Sequence, residues 1–241
     1  MIVNYSENGW EIITQRSHGL LAAQICAQWR KDDQPKRWVE TLIATAEHDD
    51  VYNEFENDNL LNDKGGPVNF INTGFEKDHC ERLMGMAETK SAYIALLTSR
   101  HIQFIHAADP KAKNFIADLI KREKQWIIAA QSTQAEVKRG YAVLQFCDAF
   151  SLLICQGLVQ PEHRKIEISS GPDGTVYQMF EQDNTLIVEP WPFEEATFEL
   201  SYESRNLPAL TYRSTSQFRK AIAEAEVSTH NIMLRSNRSK D

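Results

Sequence analysis

The stretch that decides our interpretation of the fold is PKRWVETLIATAEHDD, residues 35–50. Pro35 near the first turn and the apolar spacing after it predict an amphipathic helix. On a 3.6-residue period, one face of this helix carries Trp38, Leu42, Thr45, Asp49 and Tyr52. Asp49 therefore points where a core is expected, and His48 lies about 100° round the helix from it. A histidine beside an aspartate on the buried edge of a helix is typical of a site that binds an ion.

Three further predicted helices direct a polar side chain inward, namely His18, His101 and Asp148. A buried carboxylate without a partner is costly, so it normally finds one. A divalent cation can meet two carboxylates and several imidazoles at once, and this donor set suits Fe, Mn or Zn equally. Taken singly, each residue is better explained as a structural residue, such as a core histidine with a hydrogen bond or an aspartate that closes a helix. Taken together, they predict a metal site.

The order of the predicted elements indicates a single domain with three parts. Residues 1–16 form a β-hairpin around Asn8-Gly9, and residues 17–158 form a helical body. Residues 159–241 form a β-meander followed by a short helix near residues 216–225. We therefore expect a mainly α fold, a helical bundle with a small antiparallel sheet built from the C-terminal region and the N-terminal hairpin. The Gly- and Pro-rich stretch 57–74 is either a lid or an ordinary connection.

Composition narrows the classes of protein. The chain has 241 residues, 42% hydrophobic and 25% charged, with a net charge of −8 and a pI of about 5.4. This acidity argues against a nucleic acid polymer or an anionic membrane as the partner. There is neither an apolar run of roughly 18–20 residues nor a signal-peptide pattern, so we expect a cytoplasmic protein. The four cysteines form no CxxC pair, and we expect them to be reduced.

The spacing of the inward polar residues resembles the HD superfamily of metal-dependent phosphohydrolases. His18 is followed after thirty residues by the adjacent pair His48-Asp49, and Asp148 comes near the end of the helical body. The resemblance implies an HD-like helical bundle in which these four residues hold a divalent metal. His101 stands where some members place additional histidines for a second metal. The usual pair of histidines before the final Asp is unclear and the HD-GYP signature is absent, so one metal is expected.

The chain is also similar to an uncharacterised bacterial family, a domain of unknown function with HD-like character. The similar passages are ITQRSHGLLAAQIC, AEHDD, LLTSRH, FCDAFSLLICQG and EPWPFEEATFELSYESRNLP, and they extend over most of the chain. This second resemblance implies the fold and the metal ligands without naming a substrate.

These patterns predict a hydrolase that acts on a small phosphorylated compound or nucleotide, with metal-activated water as the nucleophile. Arg100, beside His101, is the candidate to neutralise phosphate charge, and Asp50, beside Asp49, is the candidate to relay a proton. Both are equally well explained as solvent-exposed charges. Two alternatives stay open: a non-enzymatic sensor or scaffold that binds a metal or ligand, and an iron-dependent oxygenase with the same ligands.

Overall fold

The computed structural model describes residues 1–56, 60–160 and 163–237. Within these residues the chain forms seven α-helices and one sheet of seven strands. The helices are α1 (Gln15–Ala27), α2 (Trp38–Ala46), α3 (Lys77–Glu88), α4 (Ala92–Ile105), α5 (Lys113–Ala129), α6 (Gln134–Cys155) and α7 (Thr215–Glu224). The strands are β1 (Ile2–Ser6), β2 (Gly9–Ile13), β3 (Ile166–Ser170), β4 (Val176–Gln182), β5 (Thr185–Glu189), β6 (Thr197–Leu207) and β7 (Val227–Arg235).

The sheet joins the two ends of the chain. Its strand order is β1-β2-β6-β7-β5-β4-β3, and the long strand β6 is the link. β6 pairs antiparallel with β2 on one side and with β7 on the other. Among the described strand pairs only β5 and β7 run parallel, which makes the sheet mixed. The N-terminal hairpin is thus part of the same sheet as the C-terminal strands.

The predicted fold class, a mainly α HD-like bundle with a small antiparallel sheet, is wrong, and so is the all-α description that goes with it. The protein is 46% helix and 22% strand, and its curled seven-stranded sheet is mixed. Sequence patterns missed β7 because its inward side chains include Ser228 and His230, which weaken the apolar alternation of a strand. Without β7, the eleven-residue strand β6 lacks its main partner, so the sequence patterns predict too small a sheet.

Two main cores share α6. In one, buried residues of α1 and α6 pack against the sheet, with Phe193, which lies between β5 and β6, buried against Trp29 and Phe146. In the other, the helices α2 to α6 pack on one another. The candidate site lies where these cores meet, because α1, α4 and α6 all contribute to it. No helix in the described part of the chain is long and apolar enough to cross a membrane.

The predicted helix of residues 35–50 is shorter than its periodicity indicates. α2 ends at Ala46, and residues 47–51 form turns in which Asp50 N donates to Glu47 O and Tyr52 N donates to Asp49 O. Of the predicted loop 57–74, residues 57–59 lie outside the described residues. The remainder includes a short 3-10 turn at Phe70–Asn72, anchored by a hydrogen bond from Phe70 N to Met1 O.

Candidate metal centre

Five of the seven predicted site residues converge on one buried point. They come from four separate elements: His18 from α1, His48 and Asp49 from the turn after α2, His101 from α4, and Asp148 from α6. Two overlapping groups, one of His18, His48 and Asp49 and one of His48, His101 and Asp148, each have donor atoms within 4.8 Å of one another. The three imidazoles are buried, as is Asp148.

The distances between the donor atoms match a shared cation. His18 Nε2 lies 3.0 Å from His48 Nε2, and Asp148 Oδ1 lies 3.2 Å from both nitrogens. Asp49 Oδ2 is farther, 4.0 Å from His18 Nε2 and 3.7 Å from His48 Nε2. Ligands held at about 2.0–2.1 Å from one ion are separated by about 2.9–3.4 Å in octahedral or tetrahedral geometry. Three of the four donors already meet this spacing.

Hydrogen bonds outside the cluster determine how the two imidazoles are oriented. His48 Nδ1 lies 2.7 Å from the Thr45 carbonyl oxygen, which can only accept, so Nδ1 is the donor. The Ser151 hydroxyl donates to the Asp148 carbonyl oxygen at 2.9 Å and therefore accepts from His18 Nδ1, also at 2.9 Å. In the neutral form both rings then present an Nε2 lone pair to the centre. Outer hydrogen bonds of this kind are typical of metal-bound histidines.

Gln15 orients Asp49, the fourth donor of the cluster. Its side-chain Nε2 donates to Asp49 Oδ2 at 2.8 Å and so orients the carboxylate toward the imidazoles. Neither Gln15 nor Ser151 is among the residues predicted for the site. A usable signal exists for each, because they lie three residues from a predicted ligand on the same helix, His18 for Gln15 and Asp148 for Ser151.

A glycine allows the close approach that the cluster needs. A Cβ atom added at Gly19 would lie 2.7 Å from the carbonyl oxygen of Ala46, the last residue of α2. Because this neighbour is backbone, a larger residue would force α1 away from the end of α2. Gly19 follows His18 directly, so its small size brings His18 and His48 together.

The pKa values of the cluster residues are shifted by burial and by the charges of their neighbours. Burial lowers the pKa of His48, but the charges of Asp49 and Asp148 outweigh it and raise the pKa to about 9. Burial likewise raises the pKa of Asp148, yet the charge of His48 and hydrogen bonds with His18 and His48 hold it well below its usual value. Burial lowers the pKa of His101 to about 4. A proton on His48 thus provides the positive charge that the carboxylates need when no metal ion does.

A cavity of about 250 Å³ opens beside the cluster. Asp49, His101 and Asp148 line it on the side of the cluster, and Gln15 and His106 add polar groups. The rest of the lining is mainly apolar: Met1, Tyr52, Phe70, Thr73, Ile105 and Leu152. A ligand in this cavity can reach an ion held by the cluster.

The structure does not bring the two predicted catalytic residues, Asp50 and Arg100, to the cluster or its cavity. Asp50 lies 3.6 Å from Arg16 Nε through its carboxylate, and its carbonyl oxygen accepts from the same guanidinium. Arg100 donates to Glu123 at 2.7 Å and lines a different cavity. Their catalytic roles stay predictions without a supporting contact.

The comparisons with known proteins yield a family but no function. The model of a family described as protein of unknown function (DUF3891) matches residues 1–209. No curated protein and no solved structure matches the chain. The expected HD-superfamily character is therefore not supported, whereas the expected membership of an uncharacterised family is confirmed. Since the match spans well over half of the sequence, the chain belongs to the DUF3891 family of proteins of unknown function.

Proposed function

We propose that this protein is a metal-dependent hydrolase whose substrate is a small phosphorylated compound. His18, His48, Asp49 and Asp148 would hold one divalent ion of the Fe, Mn or Zn class, with His101 as a further ligand. Such an ion supplies Lewis acidity, which lowers the pKa of water and polarises a phosphoryl oxygen.

One observation carries the proposal. Two imidazole Nε2 atoms lie 3.0 Å apart, and each ring has its Nδ1 engaged in an outer hydrogen bond. A carboxylate oxygen of Asp148 faces both of them at 3.2 Å. Without a metal ion, the proton that His48 carries offsets only part of the repulsion among these three atoms. A divalent ion satisfies all three together, whereas one proton satisfies only a single pair.

The chain's own groups would position the substrate. Gln15 Oε1 is buried and accepts no hydrogen bond from the described residues, which leaves it available to a group in the cavity. His106 lines the same cavity, and burial lowers its pKa, so near neutral pH it is an uncharged donor or acceptor. Phe70 and Leu152 offer apolar surface for the organic part of the substrate and reduce its contact with water.

An iron-dependent oxygenase is the second candidate, and the lining of the cavity favours it. None of the described residues around this cavity is a lysine or arginine, and away from the cluster the lining is mainly apolar. Phosphate recognition usually draws on such cations, whereas a small apolar substrate does not need them. The same donor set of imidazoles and carboxylates suits iron.

The test begins with metal content. Elemental analysis of freshly purified protein is expected to find a stoichiometric transition metal that is lost in His48→Ala. His106→Ala, which alters the same cavity without touching the cluster, is the matched control and is expected to keep the metal. If metal-free protein melts at the same temperature with or without added Mn, Fe or Zn, the proposal fails.

Activity then separates the two candidates. The metal-loaded protein is expected to release phosphate from p-nitrophenyl phosphate or from members of a nucleotide panel, and His48→Ala to be inactive. Metal-loaded protein that releases no phosphate but consumes dioxygen with an added apolar substrate would replace the hydrolase with the oxygenase. Bound metal with neither activity would support a sensor or scaffold.

A further inference from the structure

A second cavity, of about 500 Å³, lies between α4 and the start of α6. Its polar lining residues are Arg100 and Gln103 from α4 and Gln134, Lys138 and Tyr141 from α6. It shares no described lining residue with the cavity of the candidate metal centre.

Arg100 is held rigidly at this cavity and keeps donors to spare. Its Nη2 donates to Glu123 at 2.7 Å and to Gln134 at 3.1 Å. Its Nε and Nη1 atoms have no acceptor among the described residues. Glu123 is itself buried and also accepts hydrogen bonds from Ser99 and Gln103, so the guanidinium cannot move away without breaking a buried network. Preorganisation of this kind lowers the entropy lost when a ligand binds.

The other polar groups around the cavity are mostly donors as well. Lys138 is exposed and makes no ion pair with the described residues. The Tyr141 hydroxyl is buried without a hydrogen-bond partner in the described part of the chain, which is costly unless a ligand satisfies it. Gln134 uses its side-chain oxygen on Arg100, so its amide hydrogens remain available. None of the described lining residues is an aspartate or glutamate.

We infer that this cavity binds the phosphate group of a small molecule, in a site distinct from the metal centre. Arg100, Lys138, Gln134 and Tyr141 offer more donors than one carboxylate can accept, and a phosphate group accepts them with three oxygens. Two of the described lining residues, Arg100 and Lys138, are cations, and none is a carboxylate.

This inference does not depend on the proposed hydrolase. The Tyr141 ring lies 6.3 Å from the ring of His101, centroid to centroid, so the two sites are neighbours. Their chemistry nevertheless differs, since one collects electron-pair donors for a cation and the other collects hydrogen donors for an anion. Phosphate binding can therefore be measured on metal-free protein, whatever the fate of the metal centre.

The test uses the full chain after removal of metal by a chelator. Inorganic pyrophosphate is titrated by isothermal calorimetry into the wild type and into Lys138→Ala and Tyr141→Phe. Each substitution is expected to weaken binding by about tenfold, which is typical of losing a hydrogen bond to a charged group. Lys124→Ala, which removes an equal charge from an exposed site on α5, is the matched control and is expected to bind as the wild type does.

Two further titrations show where pyrophosphate binds and whether the site prefers phosphate to carboxylate. His48→Ala is expected to bind pyrophosphate with wild-type affinity, because the site does not involve the metal centre. Succinate is expected to bind more weakly than pyrophosphate. Three results would overturn the inference: no binding at millimolar pyrophosphate, equal weakening in Lys124→Ala, or loss of binding in His48→Ala. Tighter binding of succinate would overturn the assignment to phosphate.

Discussion

Two carboxylates are buried to nearly the same degree in this protein, yet their surroundings differ. Asp148 is 7% exposed and Glu123 is 4% exposed. Glu123 accepts hydrogen bonds from Arg100 at 2.7 Å and Gln103 at 2.6 Å, both of which always carry the hydrogens they donate. The oxygen of Asp148 instead faces two imidazole nitrogens whose Nδ1 atoms are the ring donors. Burial of a carboxylate is therefore no metal signal by itself. The signal is that the neighbours of Asp148 are imidazole nitrogens, which can give up a hydrogen and bind a metal ion, whereas the neighbours of Glu123 cannot.

The strongest challenge to this comparison is Asp148→Asn. The wild type is expected to gain about 4 kcal/mol of unfolding free energy when free metal exceeds its dissociation constant a thousandfold. The variant is expected to gain almost nothing, because an amide oxygen is a poor substitute for a carboxylate ligand. Urea unfolding with and without Mn or Zn measures both values. Equal gains in the two proteins would show that Asp148 is not a ligand.

The stability of metal-free protein is expected to depend on pH, because only protonated His48 offsets the negative charge of Asp49 and Asp148. The pKa of His48 is raised from 6.5 to about 9, so its contribution to stability is complete below pH 6.5 and is lost as the pH rises to 9. His101, with its pKa lowered to about 4, costs stability below pH 6.5 because the unfolded chain takes up the proton there. Stability is thus expected to peak near pH 6.5 and to fall by about 3 kcal/mol toward pH 9.

Bound metal should change that profile. An ion on His48 excludes the proton, so the stabilisation caused by metal is expected to increase between pH 6.5 and 9. Thermal melts of metal-free and metal-loaded protein across this range compare the two. Parallel profiles would mean that metal and proton do not compete for the cluster.

Glu123→Gln tests the other carboxylate. Removing one member of a buried ion pair leaves the charge of Arg100 uncompensated, which typically costs 3–5 kcal/mol. Because Arg100 is about one-third exposed, a loss of about 2 kcal/mol is expected. The gain in stability on adding metal should be unchanged. A variant that no longer responds to metal would show that the two carboxylates are not independent.

The smallest expected effect is on metal affinity, and it compares two serines, one beside the metal cluster and one beside Glu123. Ser151→Ala removes the partner of His18 Nδ1 and is expected to weaken metal binding by about tenfold, as is usual for an outer hydrogen bond. Ser99→Ala removes a 3.4 Å contact to Glu123 and is expected to leave metal affinity unchanged. Competition with a fluorescent chelator measures both. Equal affinities for the two variants would show that the hydrogen bond of Ser151 does not orient His18.

Helical periodicity predicted which polar side chains avoid solvent better than it predicted the helices themselves. His18, His101 and Asp148 are buried, as their positions on the apolar faces indicate. His48 is buried as well, although α2 ends before it and a turn directs it inward. Phe104, three residues after His101 and so close to the same face of α4, is 54% exposed. Periodicity describes one helix at a time and does not reveal where its neighbours stop.

The role expected for Arg100 shows the limit of angular arguments. Its position about 100° from His101 suggested a cation at the edge of the metal site. That rotation instead places it over a separate cavity, paired with Glu123 from α5. Glu123 is 23 residues away, and no local pattern connects it with Arg100. The sheet was misjudged for the same reason, because β7 becomes recognisable only through its pairing with β6.

The sequence by itself determined which face of each helix is apolar, because side-chain direction repeats every 3.6 residues. The apolar faces in turn showed which histidines and carboxylates point inward. Tertiary structure alone decided that His18 and Asp148, 130 residues apart, meet within 3.2 Å while Arg100 does not join them. It also decided which ring nitrogens face the centre, because Thr45 O and the Ser151 hydroxyl engage the others. Ångström-scale distances between remote groups follow from how helices pack, and packing is a property of all the elements together.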